Sequence, residues 1–475
     1  MAIVADARAT APSDPLQLNL PRIFAFSMPA ITTAALAVMM GQFMPRYFAG
    51  HLGMSLAAVG GVISAVRLFD TFVELPLGWV MDKTQTRLGR YRPWYIIGVP
   101  ILAIAVYALF VGNAGGMDTS YLFVWYFIFS IGSSIMTLSH GAWAATLATN
   151  YHQRSRVFGW MAAVGTIGSV SLLALPKLTQ GAIQPGKPED VVTIGWMIII
   201  ALPILATLSA VLSPEPKIAT VKRDKVVLRE YWDMIKTPTA LALVAGDLLL
   251  TMGPGLTGPI YVFFFTDVKH FNVGDVTTLL IFYLGAPFVG APLWARVAKI
   301  IGKHRTLQLG TVLYVITQST LMALPAGTFW FHAAGMFAVG LSNACFALMV
   351  RAMLADYSDE LRLKQGLQRV SLLYSFVGVT LKIGSSFNVV ISFAILSMVG
   401  YQAAEGAVNT PAAINGLAMT YLFAPIVFVA LGGLCFFGYK LDEKRHAEIR
   451  EELDRRDATA AEAELLEPQP EGSAA

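Results

Sequence analysis

Residues 54–93 read MSLAAVGGVISAVRLFDTFVELPLGWVMDKTQTRLGRYRP, and this stretch decides the fold. Residues 54–82 are long and apolar enough to cross the ~30 Å hydrocarbon core of a bilayer as a helix. Three ionisable side chains interrupt the apolar run, and a basic loop with a glycine and a proline follows it. We therefore predict a membrane-spanning helix that has charges inside the membrane and ends in a short polar loop.

The rest of the chain repeats this apolar pattern. Of its 475 residues, 56% are hydrophobic and 13% are charged, and the mean hydropathy is +0.61. A soluble domain has about 25% charged residues, so we expect an all-α polytopic membrane protein. The apolar runs predict twelve transmembrane helices, at residues 23–49, 54–82, 93–113, 119–149, 154–180, 190–213, 238–269, 272–300, 304–326, 328–356, 366–400 and 412–439.

The longest polar segment, Ser213–Pro238, separates these spans into two groups of six. The groups resemble each other weakly, because PLGW at 76–79 and GRYR at 89–92 correspond to PLW at 292–294 and GKHR at 302–305. This repeat predicts two related halves. The predicted regions are an N-terminal tail (1–22), an N-terminal half (23–213), a linker (214–237), a C-terminal half (238–440) and a C-terminal tail (441–475), which we expect to be a solvated helix or disordered.

The distribution of basic residues predicts the orientation. With the N-terminus inside the cell, 27 of the 34 Lys and Arg residues lie on the cytoplasmic side and three lie within spans. The opposite side has only Arg46, Lys177, Lys187 and Lys269. By the positive-inside rule, we expect a protein of the cytoplasmic membrane with both termini and the linker in the cytoplasm. The basic residues behind the net charge of +4 lie mostly in these short cytoplasmic segments, so the charge does not indicate a nucleic-acid partner.

Several classes of protein are excluded by missing motifs. The two cysteines, Cys345 and Cys435, both lie in apolar runs and cannot form a metal cluster or a disulfide framework. There is no glycine-rich phosphate loop and no large polar domain for ATP hydrolysis. We therefore expect no enzyme and no cofactor. The expected partners are a small-molecule solute, a coupling cation (H⁺ or Na⁺) and the lipid bilayer, and we expect a monomer.

The charged residues inside the spans are the strongest functional signal. Arg67, Asp70 and Glu74 are spaced three and four residues apart, so they share one face of a helix. Lys382 lies in the middle of the eleventh span, where Asp70 or Glu74 is its expected acidic partner. Such charges are costly in lipid and indicate either an ion-coupling site or a buried network that only orients helices. We favour ion coupling.

Three further residues are candidates for binding a solute. His140 and Trp143 are three residues apart on the fourth span, and a flat aromatic ring beside a switchable hydrogen-bonding group suits a sugar ring. The alternative is a histidine that is satisfied in the core. Asp247 precedes a Gly-Pro-Gly sequence at 253–255, which could open the seventh span beside a cavity. For Asp247, functional and structural roles are equally compatible with the sequence.

These residues resemble a known family. The stretch Arg67–Pro93, with its acids, Gly-Trp pair and GRYRP ending, is similar to the signature of the glycoside–pentoside–hexuronide cation symporters, the melibiose-permease-like branch of the major facilitator superfamily. The resemblance implies two six-helix halves, a cation site at Asp70 and Glu74, and Lys382 beside it, with Arg67 as a further charge partner. The predicted cytoplasmic gate residues are Asp82, Arg90 and Arg92.

Five positions depart from the family pattern. Val73 and Met136 stand where sodium-coupled members have an asparagine and a threonine, so two neutral oxygens are missing and proton coupling is favoured. Ala34, Ser139 and Val164 replace the galactoside-binding acids and an arginine. We therefore predict cation-coupled symport of a sugar-like solute other than a galactoside by alternating access. The alternatives are transport of an amphiphilic or aromatic solute or a lysolipid, and a non-transporting membrane receptor.

Overall fold

The computed structural model shows an all-helical chain. It describes residues 19–112, 118–147, 151–179, 181, 183, 188–215, 236–365, 370–404, 406–439, 441 and 443–466. Before the linker, the described residues form six long helices, which together are called the N-half: α1 (Leu20–His51), α2 (Leu56–Lys83), α3 (Arg92–Val111), α4 (Thr119–Leu147), α5 (Tyr151–Leu178) and α6 (Pro188–Leu212).

Six further long helices form the C-half: α7 (Pro238–Thr257), α8 (Val273–Ile301), α9 (Lys303–Ala323), α10 (Phe329–Gln365), α11 (Val370–Met398) and α12 (Pro411–Leu434). Eleven of the twelve helices are both long and apolar enough to cross a membrane, within the part of the chain that the structure describes. The exception, α9, has 21 residues, about 31 Å of helix, but contains Gln308 and Gln318. The predicted all-α polytopic fold is confirmed.

Glycine residues let neighbouring helices approach closely. A Cβ atom at Gly132 of α4 would lie 2.9 Å from the backbone nitrogen of Leu102 in α3. A side chain at Gly168 of α5 would overlap the backbone of Ile31 in α1. Small residues at helix interfaces are the usual way to pack helices in lipid, because no hydrophobic force drives helices together there.

Two helices from opposite halves, α2 and α11, pack against each other along the bundle. Gly60 allows this approach, because a Cβ atom there would lie 3.3 Å from both Phe393 Cβ and Val390 Cα. Since α2 contains the predicted acids and α11 contains Lys382, this interface determines which charges meet.

We call the end of the bundle where α1 begins and α12 ends the proximal end. The opposite end is the distal end. At the distal end, the Arg46 guanidinium joins the N-half to the C-half. It donates to Thr266 Oγ1 at 2.5 Å and to the Val262 carbonyl at 3.3 Å, and it lies 3.8 Å from the Asp267 carboxylate. Asp267 also accepts a hydrogen bond from the Tyr401 hydroxyl. We call these contacts the distal latch.

The C-terminal tail contains a docked helix, α13 (Glu443–Leu466). Ile449 and Leu453 of α13 are buried, and His446 lies 3.1 Å from the Asp359 carboxylate at the end of α10. This contact explains why α10 extends nine residues beyond its predicted end at residue 356: its last turns pack beside α13. The sequence predicts that the tail is either a solvated helix or disordered. Residues Glu443–Leu466 form a helix, but this helix is docked on α10.

Candidate functional site

The predicted charges meet in a cavity of about 510 Å³ between the halves, which we call the coupling cavity. Helices α1, α2, α3, α4 and α11 form its wall, and Arg67, Asp70, Glu74 and Lys382 all line it. The spacing of three and four residues on α2 places the first three on one face, as predicted. The fourth reaches them because α11 packs directly on α2.

Lys382 forms an ion pair with Glu74. Asp70 is near enough to act on the lysine electrostatically, but the ammonium contacts Glu74. The sequence alone does not decide whether Asp70 or Glu74 is the partner of Lys382. The register in which α11 packs on α2 brings Lys382 to Glu74. The side chain of Glu74 is 17% exposed and that of Lys382 is 39% exposed, so water in the cavity reaches the pair.

Ser134 of α4 connects the two carboxylates. Its hydroxyl lies 2.6 Å from Asp70 Oδ1 and 3.1 Å from Glu74 Oε1, within hydrogen-bond distance of both. The sequence analysis missed this residue, although a signal was present. Ser130, Ser133 and Thr137 line the cavity with it, and these four hydroxyls recur at the spacing of one helical face.

Arg67 does not pair with the acids on its own helix. Its Nη1 donates to the backbone carbonyl of Ser385 on α11 at 3.1 Å, and no ion pair to it occurs among the described residues. Arg67 and Lys382 therefore each connect α2 to α11 across the two halves. Two bases therefore accompany two acids in this cavity.

His140 and Trp143 lie outside the coupling cavity, in a packed aromatic cluster at the proximal end. His140 Nε2 is 2.8 Å from the Phe26 carbonyl, and Trp143 Nε1 donates to the Pro214 carbonyl at 3.2 Å. The rings of Phe26 and Tyr95 pack against both residues. In this conformation the two residues contact groups from four helices. This arrangement matches the alternative of a histidine that is satisfied in the core, and it differs from the prediction that the two residues line a cavity.

Asp247 is buried in α7, with 6% of its surface exposed. It lies one helical turn before Leu250 and Thr251, which line a second cavity, and is not itself part of that wall. Arg351 of α10 is close enough to interact with it electrostatically. The helix continues through the Gly-Pro-Gly sequence at 253–255 and ends at Thr257, so the predicted opening occurs one turn later.

The predicted cytoplasmic gate residues make contacts within the N-half. The backbone N–H groups of Arg90 and Tyr91 donate to Glu215 Oε1 at 2.7 and 2.8 Å, and that of Arg92 donates to Oε2 at 3.0 Å. The Arg92 guanidinium contacts the Ser213 carbonyl and lies 5.3 Å from the centre of the Trp143 ring. The side chain of Asp82 lies outside the described residues, so the gate stays a prediction.

Glu215 was also missed from the sequence, and its geometry explains the GRYRP motif. Its carboxylate accepts three backbone hydrogen bonds at the start of α3, where the helix dipole favours negative charge. Gly89 has φ +117°, and a side chain there would collide with the same carboxylate. A glycine is therefore required next to this contact, which fixes the α2–α3 loop to the end of α6.

A second cavity of about 520 Å³ lies in the C-half, which we call the C-half cavity. Its wall comes mainly from α7, α8, α9, α10 and α12, and Gln42 of α1 closes one side. Asn343 Nδ2 donates to the Tyr283 hydroxyl at 3.0 Å, and both residues line the cavity. His140, Trp143 and Asp247 are not part of this wall, but Pro254 and Gly255 of the Gly-Pro-Gly sequence line it.

Comparison with known proteins agrees with this architecture. The family model described as "MFS/sugar transport protein" matches residues 25–443. The glucuronide carrier protein homolog of Escherichia coli (strain K12) is 23% identical over 93% of this chain and 96% of its own length. The isoprimeverose transporter of Lactiplantibacillus pentosus is 24% identical, with 92% of each chain covered.

Solved structures share the fold. The crystal structure of the nucleoside transporter NupG superposes with a TM-score of 0.65 at 14% identity, covering 88% of this chain and 97% of that one. The resemblance to the glycoside–pentoside–hexuronide symporters is thus confirmed, as is the expectation that the chain is a transporter and not an enzyme. With the family model matching most of its length, this chain belongs to the MFS/sugar transport protein family.

Proposed function

We propose that this transporter couples the movement of a cation to the import of a sugar-like solute, by alternating access of the two halves. The observation on which this rests is the charge arrangement of the coupling cavity. Lys382 engages Glu74, whereas Asp70 has the Ser134 hydroxyl as its close contact. Asp70 lies in the cavity next to Glu74, which is already paired with Lys382. Asp70 can therefore accept a cation with little movement of the surrounding side chains.

The ion pair also offers a route from cation binding to movement. Glu74 belongs to the N-half and Lys382 to the C-half, so their contact holds α2 against α11. A cation bound to Asp70 and Glu74 would replace the lysine ammonium and weaken this connection between the halves. The lysine-paired arrangement therefore represents the cation-free state in this proposal, and cation binding shifts the equilibrium between conformations through its differential affinity.

We propose a proton as the coupling ion. Sodium needs several oxygen ligands at once, whereas a proton needs a single carboxylate oxygen. Ser134 places one neutral oxygen next to Asp70. The choice is supported by Val73 and Met136, which stand where sodium-coupled members of the family that the sequence resembles have oxygen-bearing residues. Met136 is 1% exposed and does not line the coupling cavity.

The sugar-like solute is supported by the relatives, whose names specify glucuronide and isoprimeverose as cargo. It is also supported by a cavity lined with tyrosine and amide side chains. We further propose that the proximal end faces the cytoplasm, since most Lys and Arg residues belong to the segments at that end, and that the protein acts as a monomer.

The test is uptake into proteoliposomes under an imposed pH gradient or sodium gradient, with isoprimeverose and a glucuronide as solutes. The proposal expects accumulation of at least one of these solutes, driven by the pH gradient and abolished by a protonophore. Asp70→Asn should stop accumulation but keep some downhill flux, and Glu448→Gln, an exposed acid of α13, should behave as wild type. Sodium-driven accumulation at fixed pH would refute proton coupling, and unaltered accumulation in Asp70→Asn would refute the cation site.

A further inference from the structure

The wall of the C-half cavity is uncharged. Among the described residues that line it there is no Asp, Glu, Lys, Arg or His side chain. Asp247, the buried acid of α7, lies a turn away and does not reach the wall. A charged group in this cavity would lose its water shell without gaining a countercharge, which is costly in a buried site. The cavity is therefore suited to an uncharged ligand group.

Four tyrosine rings form part of the wall. Tyr261, Tyr283, Tyr314 and Tyr421 line the cavity, and Tyr421 already stacks on Phe264 with ring centres 3.9 Å apart. Rigid aromatic rings beside polar tips bind amphipathic rings well, since a pyranose presents C–H groups on its faces and hydroxyls at its edge. The volume of about 520 Å³ falls within the range for small-molecule sites.

The polar atoms of the wall match the edge of a sugar. In the Asn343–Tyr283 hydrogen bond the amide donates, so the Tyr283 hydroxyl keeps its own hydrogen to donate to a ligand. Asn343 retains its second amide hydrogen and its carbonyl oxygen. Together these two side chains offer donors and an acceptor next to each other, which is the complement of two neighbouring hydroxyl groups.

We infer that the C-half cavity is the subsite that binds an uncharged pyranose ring of the solute, with Tyr283 and Asn343 as its specificity-determining residues. This inference rests on the proposed function, because it identifies the class of the transported solute. It places the solute in the C-half and the cation in the coupling cavity. It also predicts discrimination against sugar acids whose carboxylate would enter the uncharged wall.

Equilibrium binding to purified full-length protein tests the inference without any gradient. The probes are p-nitrophenyl β-D-glucoside and β-D-xyloside as neutral pyranosides, p-nitrophenyl β-D-glucuronide as the matched anion, and lysophosphatidylcholine as an amphiphile. A neutral pyranoside should bind at least tenfold more tightly than the glucuronide. Tyr283→Phe and Asn343→Ala should each weaken its binding by about tenfold, the effect of one lost hydrogen bond.

Tyr107→Phe is the matched control, since Tyr107 is exposed on α3 and outside both cavities. Melting temperatures of all variants separate lost binding from lost folding. Three results would each overturn the inference. These are equal or tighter binding of the glucuronide, binding of lysophosphatidylcholine alone, and unchanged affinity for the neutral pyranoside in both cavity variants. Wild-type protein that binds the neutral pyranoside but does not accumulate it under a gradient would instead refute the proposed coupling and leave the subsite intact.

Discussion

The pairing of Lys382 with Glu74 predicts an asymmetric double-mutant cycle. Lys382→Ala and Glu74→Gln should each destabilise the protein, because each leaves one partly buried charge without its partner. The double variant should recover part of that loss. Lys382→Ala combined with Asp70→Asn should recover much less, since Asp70 contacts Ser134 and forms no ion pair among the described residues.

The magnitude follows from the exposure of the pair. Breaking a fully buried ion pair costs about 3–5 kcal/mol. The Lys382 side chain is 39% exposed and Glu74 is 17% exposed, so screening by cavity water brings the expected coupling energy down to about 1–2 kcal/mol. For Lys382 with Asp70 we expect about 0.5 kcal/mol or less, from charge interaction without contact.

The free energy of unfolding in mixed detergent micelles measures both cycles, and proteoliposome uptake of each variant provides a second readout. Lys382→Ala with Glu448→Gln is the control pair and should be additive, because Glu448 lies on the exposed face of α13. The Lys382→Ala/Glu74→Gln variant should regain stability without regaining uphill transport. Additive losses with Glu74, or equal coupling with both acids, would refute the assignment of the partner.

Two further predictions concern the ends of the bundle. Arg46→Ala should favour opening of the distal latch by about 2 kcal/mol, roughly 30-fold, because it removes charge-assisted hydrogen bonds. Spin labels at Thr119, the exposed first residue of α4, and at Val408, in the exposed loop before α12, should move apart, and an unchanged distance would contradict this. Glu215→Ala should lower the free energy of unfolding by about 1–3 kcal/mol by leaving three N–H groups unpaired. Gly89→Ala should also destabilise, given its φ of +117°, and wild-type stability of both variants would contradict the capping role.

The sequence determined the features that depend on one helix at a time. Apolar runs of sufficient length predict spans because a bilayer has a fixed thickness. The spacing of Arg67, Asp70 and Glu74 places them on one face because the helix period is fixed. The same period places Ser130, Ser133, Ser134 and Thr137 on one face of α4. These features need no knowledge of neighbouring helices.

Tertiary structure alone decided which groups meet between helices. Lys382 follows Glu74 by more than 300 residues, and a shift of one turn between α2 and α11 would bring it to Asp70 instead. His140 and Trp143 share a face as the sequence predicts, but packing of Phe26 and Tyr95 turns that face into core. The C-half cavity combines side chains from six helices. Such contacts depend on the register and tilt of helices that are distant in sequence, and no local periodicity encodes these.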